Sequence, residues 1–380
     1  MASNHGEVVI YAVGDVGPRR IEYGEPIESL FDKVADKLKE ADIRLCQLER
    51  TFSTKGWLQY RSRPTTYKSR VHPDNVKSLV YAGFDLVTHA SNHCFDYGPE
   101  ALVDSIEVLR RNGIKAAGVG RNIEEARSPV ILERKGTRIA FLDYNSVLPE
   151  EYEAREDKPG CAPMKIATYY EPQEFEPGTP PKVITIPRAE HVAAMETDIK
   201  KAKAGADVVV VSFHWGIHFV AGALADYQFV VGRKAIDAGA DLILGSHPHI
   251  IKGIEVYKRK VIFYSLGNFA EESPHHLPLP PGIKENRMSK LYRKGEQEIS
   301  ARYGGPIDKH YAIMASVLIR DKTVNKVSFV PIWINDRSEP RFTTRNEPEF
   351  QQALDYTKKC SRDLGTEFTV SGDEVVVWPQ

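Results

Sequence analysis

The sequence of 380 residues is 42% hydrophobic and 27% charged, so it is long and apolar enough to bury a sizeable core without disulfide bonds. Its 51 Lys and Arg residues balance 52 Asp and Glu residues. The resulting net charge of −1 argues against nucleic acid or an anionic membrane surface as a partner. With 27 Gly and 24 Pro residues, the composition also excludes a fibrous or broadly disordered chain.

The sequence contains no recognisable targeting segment. Its N-terminus lacks a basic region followed by an apolar stretch, and no window approaches the 18 or so uninterrupted apolar residues of a membrane span. The four cysteines are widely spaced and form no CxxC pair, so we expect reduced thiols. These features predict a cytoplasmic protein that does not enter membranes.

Predicted strands and helices alternate along the first half of the chain. Apolar runs predict strands, and apolar residues at helical spacing predict helices. The predicted strands are 7–15, 43–49, 84–90 and the segments IKAAGVG, PVILER and RIAFLDYN. The predicted helices are 27–42, 74–82 and 99–113. This alternation predicts an α/β fold with a largely parallel sheet.

The second half resumes the same alternation between two irregular excursions. The excursions, 150–188 and 271–309, are rich in Pro and charged residues, and we expect loops or a lid within one domain of residues 1–380. The other predicted elements are a helix at 191–206, a strand at 207–215, a helix at 227–240, a strand at 241–247, a hairpin at 253–269 turning at 258–260, strands at 312–320 and 324–334, and a helix at 347–363.

Polar side chains that can bind metals recur at the ends of the predicted strands. Five strand ends carry them, and the residues are Asp15, Glu49, Asn92, His93, His214, His247 and His249. In open α/β sheets ligands bind beyond the carboxyl ends of the strands, so these side chains are expected to meet at one edge.

Asp, Glu, Asn and His together suit one or two divalent ions of Mn, Fe, Co or Zn. Asp15 and Glu49 could be shared between two ions, which would activate a bridging water. Taken singly, an Asp after a strand is more often a helix cap, and a His in an apolar run is more often a hydrogen-bonded core residue. The joint pattern over five strand ends favours metal binding over that alternative.

Six motifs along the chain match one family. They are GDVGPRR, QLERTF, HASNHCFDYG, SFHWGIHF, GSHPHIIKGIE and YSLGNF. The chain thereby resembles the CapA (poly-γ-glutamate capsule biosynthesis, PGA_cap) family of the calcineurin-like metallophosphoesterase superfamily. The resemblance covers roughly residues 7–270 and implies a four-layer α/β/β/α sandwich with a metal site at one sheet edge.

The resemblance also implies roles for individual residues. Asp15 and His249 would bind a first metal ion, Glu49 would bridge two ions, and Asn92, His214 and His247 would bind the second. His93 would act as general acid or oxyanion stabiliser, and Asp96 would orient it. A carboxylate partner raises the pKa of a histidine and fixes its ring, which suits an acid.

Three positions depart from the usual family pattern. Asp15 is followed by Val16-Gly17, so the Asp-x-His of many phosphoesterases is absent. The HWG motif is commonly followed by x-Glu in the family, whereas Ile217-His218 follow it here, so His218 is an additional catalytic candidate, as a ligand or as an acid or base. Lys252 occupies a position that is often Gln in the family, and it is either a substrate contact or a solvated surface lysine.

Cationic and aromatic residues outside the strand ends indicate the substrate. Arg19, Arg61, Arg63 and Tyr67 are candidate contacts, because arginine pairs with carboxylates and phosphates and aromatic faces bury rings. The alternative is a solvated loop with ordinary arginine content. The cluster predicts an anionic small-molecule or peptide-like substrate.

We therefore predict a metal-dependent hydrolase in which a metal-bound hydroxide attacks an anionic phosphoester or an amide or peptide-like substrate. One alternative is a non-hydrolytic epimerase or lyase that uses the same ions to stabilise an enolate-like charge. Another is a non-catalytic protein that binds an anionic capsule polymer. Oligomeric state is left open.

Overall fold

The computed structural model describes residues 6–59, 69–174, 178–272 and 307–379. The strands of the first half are β1 (Val8–Gly17), β2 (Ile43–Leu48), β3 (Thr51–Phe52), β4 (Arg70–Val71), β5 (Leu86–Thr88), β6 (Lys115–Ala117), β7 (Val119–Gly120), β8 (Val130–Arg134), β9 (Thr137–Asn145), β10 (Gly160–Cys161), β11 (Ile166–Glu171) and β12 (Lys182–Pro187). Those of the second half are β13 (Val208–His214), β14 (Leu242–Ser246), β15 (Ile254–Tyr257), β16 (Lys260–Phe263), β17 (Asn268–Glu271), β18 (Tyr311–Arg320), β19 (Thr323–Ile334), β20 (Pro340–Phe342), β21 (Thr369–Ser371) and β22 (Glu374–Trp378).

Helices connect some of these strands within the described ranges. The α-helices are α1 (Arg20–Tyr23), α2 (Ala35–Leu38), α3 (Val76–Ala82), α4 (Gly98–Arg111), α5 (Ile123–Arg127), α6 (Ala189–Gly205), α7 (Asp226–Ala238) and α8 (Pro348–Ser361). Short 3-10 turns lie at Glu28–Leu30, Pro73–Asn75, Ile307–His310 and Arg362–Leu364. No helix among the described residues is long and apolar enough to cross a membrane.

The first large sheet has the strand order β21-β22-β19-β18-β1-β2-β5-β6, with β17 beside β1 and β20 beside β19. Strand β1 is parallel to β2 and to β17, and β2 and β5 continue the parallel part towards β6. On its other side β1 pairs antiparallel with β18, which leads into the C-terminal strands. The parallel part carries three of the motif strands with their carboxyl ends at one edge.

The second sheet has the order β15-β16-β14-β13-β9-β8. Its four central strands, β9, β13, β14 and β16, are parallel, and the two edge strands are antiparallel to their neighbours. The run VVVVSFH of β13 is buried along its whole length, as expected for a parallel strand that is covered on both faces.

The two sheets pack face to face and carry helices on their outer faces. One core cluster joins side chains of both sheets, such as Ile10 of β1 and Val210 of β13. A second cluster packs the outer face of the first sheet against α2, α3 and α4, and a third packs the second sheet against α6 and α7. This arrangement confirms the α/β fold and its four-layer α/β/β/α order.

Three segments differ from the sequence prediction. The helix expected over 27–42 is two short helical turns separated by Phe31–Val34, although Phe31 and Leu38 are buried as the spacing requires. The excursion at 150–188 contains the antiparallel hairpin of β11 and β12, whose Val, Ile, Thr and Tyr residues favour strands. The other excursion, 271–309, lies almost entirely outside the described residues and stays a prediction.

The segment 253–269 is the third difference. Strands β15 and β16 form the expected hairpin, and its turn lies at Lys258 and Arg259, which both have positive φ. The chain then leaves this sheet, and β17 joins the first sheet beside the end of β1. At the crossing, the Gly14 Cα approaches so closely that an added Cβ would lie 1.7 Å from the carbonyl oxygen of Gly267.

Candidate metal centre

Asp15, Glu49 and His214 meet where the carboxyl ends of the two sheets converge. Asp15 lies near the end of β1, Glu49 follows β2, and His214 ends β13. Each offers a ligand atom within 4.8 Å of the other two, and all three side chains are buried. The structure thus brings together side chains that are more than 30 residues apart in sequence at their nearest.

The carboxylate oxygens of Asp15 and Glu49 are buried, and they accept no hydrogen bond from any residue that the structure describes. Burying a carboxylate without a partner costs several kcal/mol or shifts its pKa. Burial raises the pKa of Glu49, although the neighbouring His93 lowers it. Two adjacent acids in this state indicate a site that a cation completes.

Asn92 and His247 lie beside His214 and extend the group. Nε2 of His214 is 2.6 Å from Oδ1 of Asn92 and 3.2 Å from Nδ1 of His247. Burial lowers the pKa of both histidines well below the ordinary value, so each imidazole is neutral near pH 7, as a metal ligand must be. Nδ1 of His214 is 3.1 Å from Oγ of Ser246, which orients the ring.

His249 lies on the other side of Glu49, next to Asp15. Its Nδ1 is 3.4 Å from Oδ2 of Asp15 and 2.8 Å from Oδ1 of Asn268. Its Nε2 is 3.9 Å from Oε1 of Glu49, whereas Oε2 of Glu49 is 3.9 Å from Nε2 of His214. The two oxygens of Glu49 therefore face two different groups of candidate ligands.

His93 is held by Asp96 at the mouth of this cluster. Its Nδ1 lies 2.7 Å from Oδ2 of Asp96, and its Nε2 lies 3.8 Å from Oε1 of Glu49. Burial lowers the pKa of His93, but the charge and the hydrogen bond of Asp96 outweigh burial and raise it above its ordinary value. The Tyr152 hydroxyl donates to the second oxygen of Asp96 at 2.5 Å.

His218 stacks on the histidines of the cluster. Its ring centroid is 3.8 Å from that of His247 and 5.4 Å from that of His249. The segment that carries it is tied to the HPH motif, because the backbone N–H of Phe219 donates to the carbonyl of Pro248. His218 is thus beside the candidate ligands, as the sequence predicts.

Lys252 is a buried lysine under the His218 segment. Its Nζ donates to the backbone carbonyls of Val220 and Ala223. The side chain is fully buried, which rules out the solvated surface lysine of the sequence analysis. Its ammonium group holds the segment that follows His218, and its role as a substrate contact stays a prediction.

Of the four other predicted substrate contacts, only Arg19 lies within the described residues. It follows β1, and its side chain is buried. Arg61, Arg63 and Tyr67 lie in 60–68, outside the described residues.

Three residues contact the predicted site but were not selected from the sequence, and a fourth, Arg50, acts on Glu49 through its charge. Asn268 follows the same strand-end pattern and stands in the quoted YSLGNF motif, so that pattern could have revealed it. Ser246 precedes His247 at the end of its strand and could have been found in the same way. Tyr152 comes from an irregular excursion, so it had no local signal. Arg50 stands in the quoted QLERTF motif, but its partner Glu271 lies far along the chain, so the motif could not reveal the pair.

Comparison with known proteins shows which family this chain matches. The model described as "Bacterial capsule synthesis protein PGA_cap" matches residues 9–273, which confirms the resemblance carried by the six motifs. The "PGA biosynthesis protein CapA" of Bacillus subtilis is 28% identical over 269 residues, 70% of this chain and 62% of that protein. The "Capsule biosynthesis protein CapA" of Bacillus anthracis is 27% identical over 240 residues, 63% of this chain and 53% of that protein.

The chain therefore spans between about half and three fifths of the length of these curated relatives. A solved structure titled as the calcineurin-like phosphoesterase YfkN from Bacillus subtilis is also similar. The match covers 94% of this chain and 98% of that one, with 14% identity and a TM-score of 0.39.

The buried Lys252 predicts a pH dependence of stability. Burial lowers its pKa to about 8 from 10.5. Between these values the unfolded chain binds more protons than the folded one, so the free energy of unfolding rises as the pH rises through this window. We expect wild type to gain up to about 3 kcal/mol over Lys252→Met between pH 7.5 and 10.5, measured by urea denaturation.

The exposed Lys200 on α6 provides the matched control. Lys200→Met is expected to leave the pH dependence of the free energy of unfolding as in wild type. A constant difference between wild type and Lys252→Met across this range would contradict the buried charge.

Proposed function

Because the chain belongs to the bacterial capsule synthesis (PGA_cap) family, we propose that its buried acid and histidine side chains hold divalent cations for the hydrolysis of an anionic substrate. The observation that carries the proposal is the absence of hydrogen-bond donors, among the described residues, to the four buried oxygens of Asp15 and Glu49. A structural network would satisfy such groups internally, whereas a cation site leaves their lone pairs for the ion.

The donor set fits a transition-metal site. Carboxylate, amide and imidazole donors without a thiolate favour Mn, Fe, Co or Zn over a structural zinc cluster. The residues that would hold one ion are Asp15, Glu49 and His249, and those that would hold a second are Glu49, Asn92, His214 and His247. When bound, such ions polarise a substrate oxygen and lower the pKa of a coordinated water.

His93 supplies the proton in this proposal. Because Asp96 takes the Nδ1 hydrogen bond, Nε2 is the nitrogen directed towards Glu49 and the candidate ligands. The raised pKa lets His93 keep a proton near neutral pH and give it to the leaving group from Nε2. Asp96 and Tyr152 fix the ring and its tautomer.

The substrate proposed is an anionic small molecule or a peptide-like anion. Phosphoester hydrolysis is the reaction that a cluster of this composition serves most directly. An amide substrate is retained because the two Bacillus relatives are named for the biosynthesis of PGA and of capsule.

The metal ligands are tested by elemental analysis after loading with Mn²⁺ and dialysis. Wild type is expected to retain one or two ions per chain and to hydrolyse 4-nitrophenyl phosphate. Asp15→Asn and His214→Gln are expected to reduce metal affinity by at least about tenfold and hydrolysis by at least about 100-fold.

His191→Gln serves as the control, since this histidine contacts the Pro163 carbonyl outside the cluster. Unchanged metal content in both ligand variants would overturn the site assignment. If wild type retains metal but hydrolyses neither phosphoesters nor amides, the hydrolytic proposal is contradicted and the alternative of a protein that binds an anionic polymer is favoured.

A general acid at His93 predicts dependence on the leaving group. An alkyl phosphate needs a proton on its leaving oxygen, whereas 4-nitrophenolate leaves without one. In His93→Gln we expect kcat to fall about 10²- to 10⁴-fold for the alkyl ester and much less for the aryl ester. Asp96→Asn is expected to lose less kcat, but again more for the alkyl ester than for the aryl ester. Metal content is expected to stay unchanged in both variants. Equal losses for the two esters would contradict an acid role.

A further inference from the structure

Arg19, which follows Asp15 by four residues, has two guanidinium nitrogens buried without a hydrogen-bond partner among the described residues. The residue is 2% exposed, and neither its Nε nor its Nη2 donates to any residue in the described part of the chain. Its backbone N–H is occupied, because it donates to Oε2 of Glu272 at 2.5 Å. A buried charged group whose N–H donors are unused costs several kcal/mol unless something else accepts from them.

Two other buried arginines, Arg20 and Arg50, differ from Arg19 because their guanidinium groups form ion pairs. Arg20 forms ion pairs with Glu25 and Glu339. Arg50 pairs with Glu271 through Nη2 and also donates to the backbone carbonyl of Glu272. Of these three buried arginines, Arg19 is the one whose side chain has no carboxylate partner among the described residues.

The nearest acids are already engaged. The carboxylate of Glu22 accepts from the backbone N–H of His72 at 2.6 Å and from Nδ2 of Asn75 at 2.8 Å. The carboxylate of Glu272 accepts from the Arg19 backbone and lies 3.5 Å from Nε of Arg20. No carboxylate of the described residues therefore occupies Nε or Nη2 of Arg19, and both can serve an anion from outside.

The position of Arg19 connects it to the candidate centre. It follows β1 four residues after Asp15, and Arg50 directly follows Glu49. Both arginines contact Glu272, one through its backbone N–H and the other through Nη2. The two chain segments that carry the candidate acids thus each place an arginine at the same end of the first sheet.

We propose that Arg19 binds a second anionic group of the substrate while the first lies at the metal centre. This inference rests on the proposed function and specifies its substrate class, a molecule with two separated oxyanions. A guanidinium fork matches a carboxylate or a phosphate in a bidentate manner. The flanking Arg50 adds positive charge, although its Nη2 is committed to Glu271.

The experiment measures binding, so that turnover is not required. The Mn²⁺-loaded protein is titrated by calorimetry with propyl-, butyl- and pentylphosphonate. It is then titrated with phosphonates of the same alkyl lengths whose far end carries a carboxylate or a second phosphonate. In wild type, at least one of these two-headed ligands is expected to bind about tenfold or more tightly than the alkylphosphonate of the same length. The end group that gives the tighter binding identifies carboxylate or phosphate as the second anionic group.

Arg19→Gln is expected to remove this advantage and to leave the affinity for alkylphosphonates unchanged. Arg19→Lys is expected to keep part of it, because the charge remains while the fork is lost. Arg44→Gln is the control, since Arg44 is paired with Asp85 near the start of β2, away from the cluster. It should bind both ligand series as wild type does.

Three results would overturn the inference. If alkylphosphonates bind to wild type but no two-headed ligand binds more tightly, the subsite does not exist and the proposed function stands. If Arg19→Gln weakens both series alike, Arg19 has a structural role. If wild type binds neither Mn²⁺ nor any phosphonate, the proposed function fails and the subsite fails with it.

Discussion

The burial of two carboxylates without hydrogen-bond donors is the constraint around which this molecule is organised. Asp15 and Glu49 are held 0% and 1% exposed, and their four oxygens accept from no described residue. Charges in that state repel one another and lose their hydration, so the folded chain bears a cost that a bound cation would remove. The neutral imidazoles around them complete a donor set without adding positive charge.

The fold produces this arrangement by bringing two sheets to a common edge. Parallel strands in each sheet end together, so Asp15 and Glu49 from one sheet meet His214 and His247 from the other. The close approach of Gly14 to the backbone of Gly267 admits β17 beside the end of β1, which places Asn268 against His249. Backbone packing therefore positions these candidate ligands.

Most of the cluster could be predicted from the sequence because its polar residues stand at the carboxyl ends of predicted strands. The carboxyl ends of parallel strands lie at one edge of a sheet, so side chains at those positions come together. The partners that orient those side chains were harder to predict. Tyr152 reaches Asp96 from a segment that reads as an irregular loop, and the ion pair of Arg50 with Glu271 joins residues 221 apart. Hydrophobic spacing likewise predicted which residues of 27–42 are buried. It did not predict where the helix breaks, because the spacing of apolar residues shows which side of a helix is buried but not whether the helix is continuous.

The most direct test of the account compares the free energy of unfolding of wild type and Asp15→Asn, each with and without Mn²⁺. Without metal, Asp15→Asn removes a buried acid that accepts no hydrogen bond from the described residues, so it is expected to be more stable than wild type by about 1–3 kcal/mol. With Mn²⁺ the order is expected to reverse, because only wild type gains the full binding energy of the ion. If Asp15→Asn is less stable than wild type by the same amount in both conditions, the acids serve the fold and the metal centre is refuted.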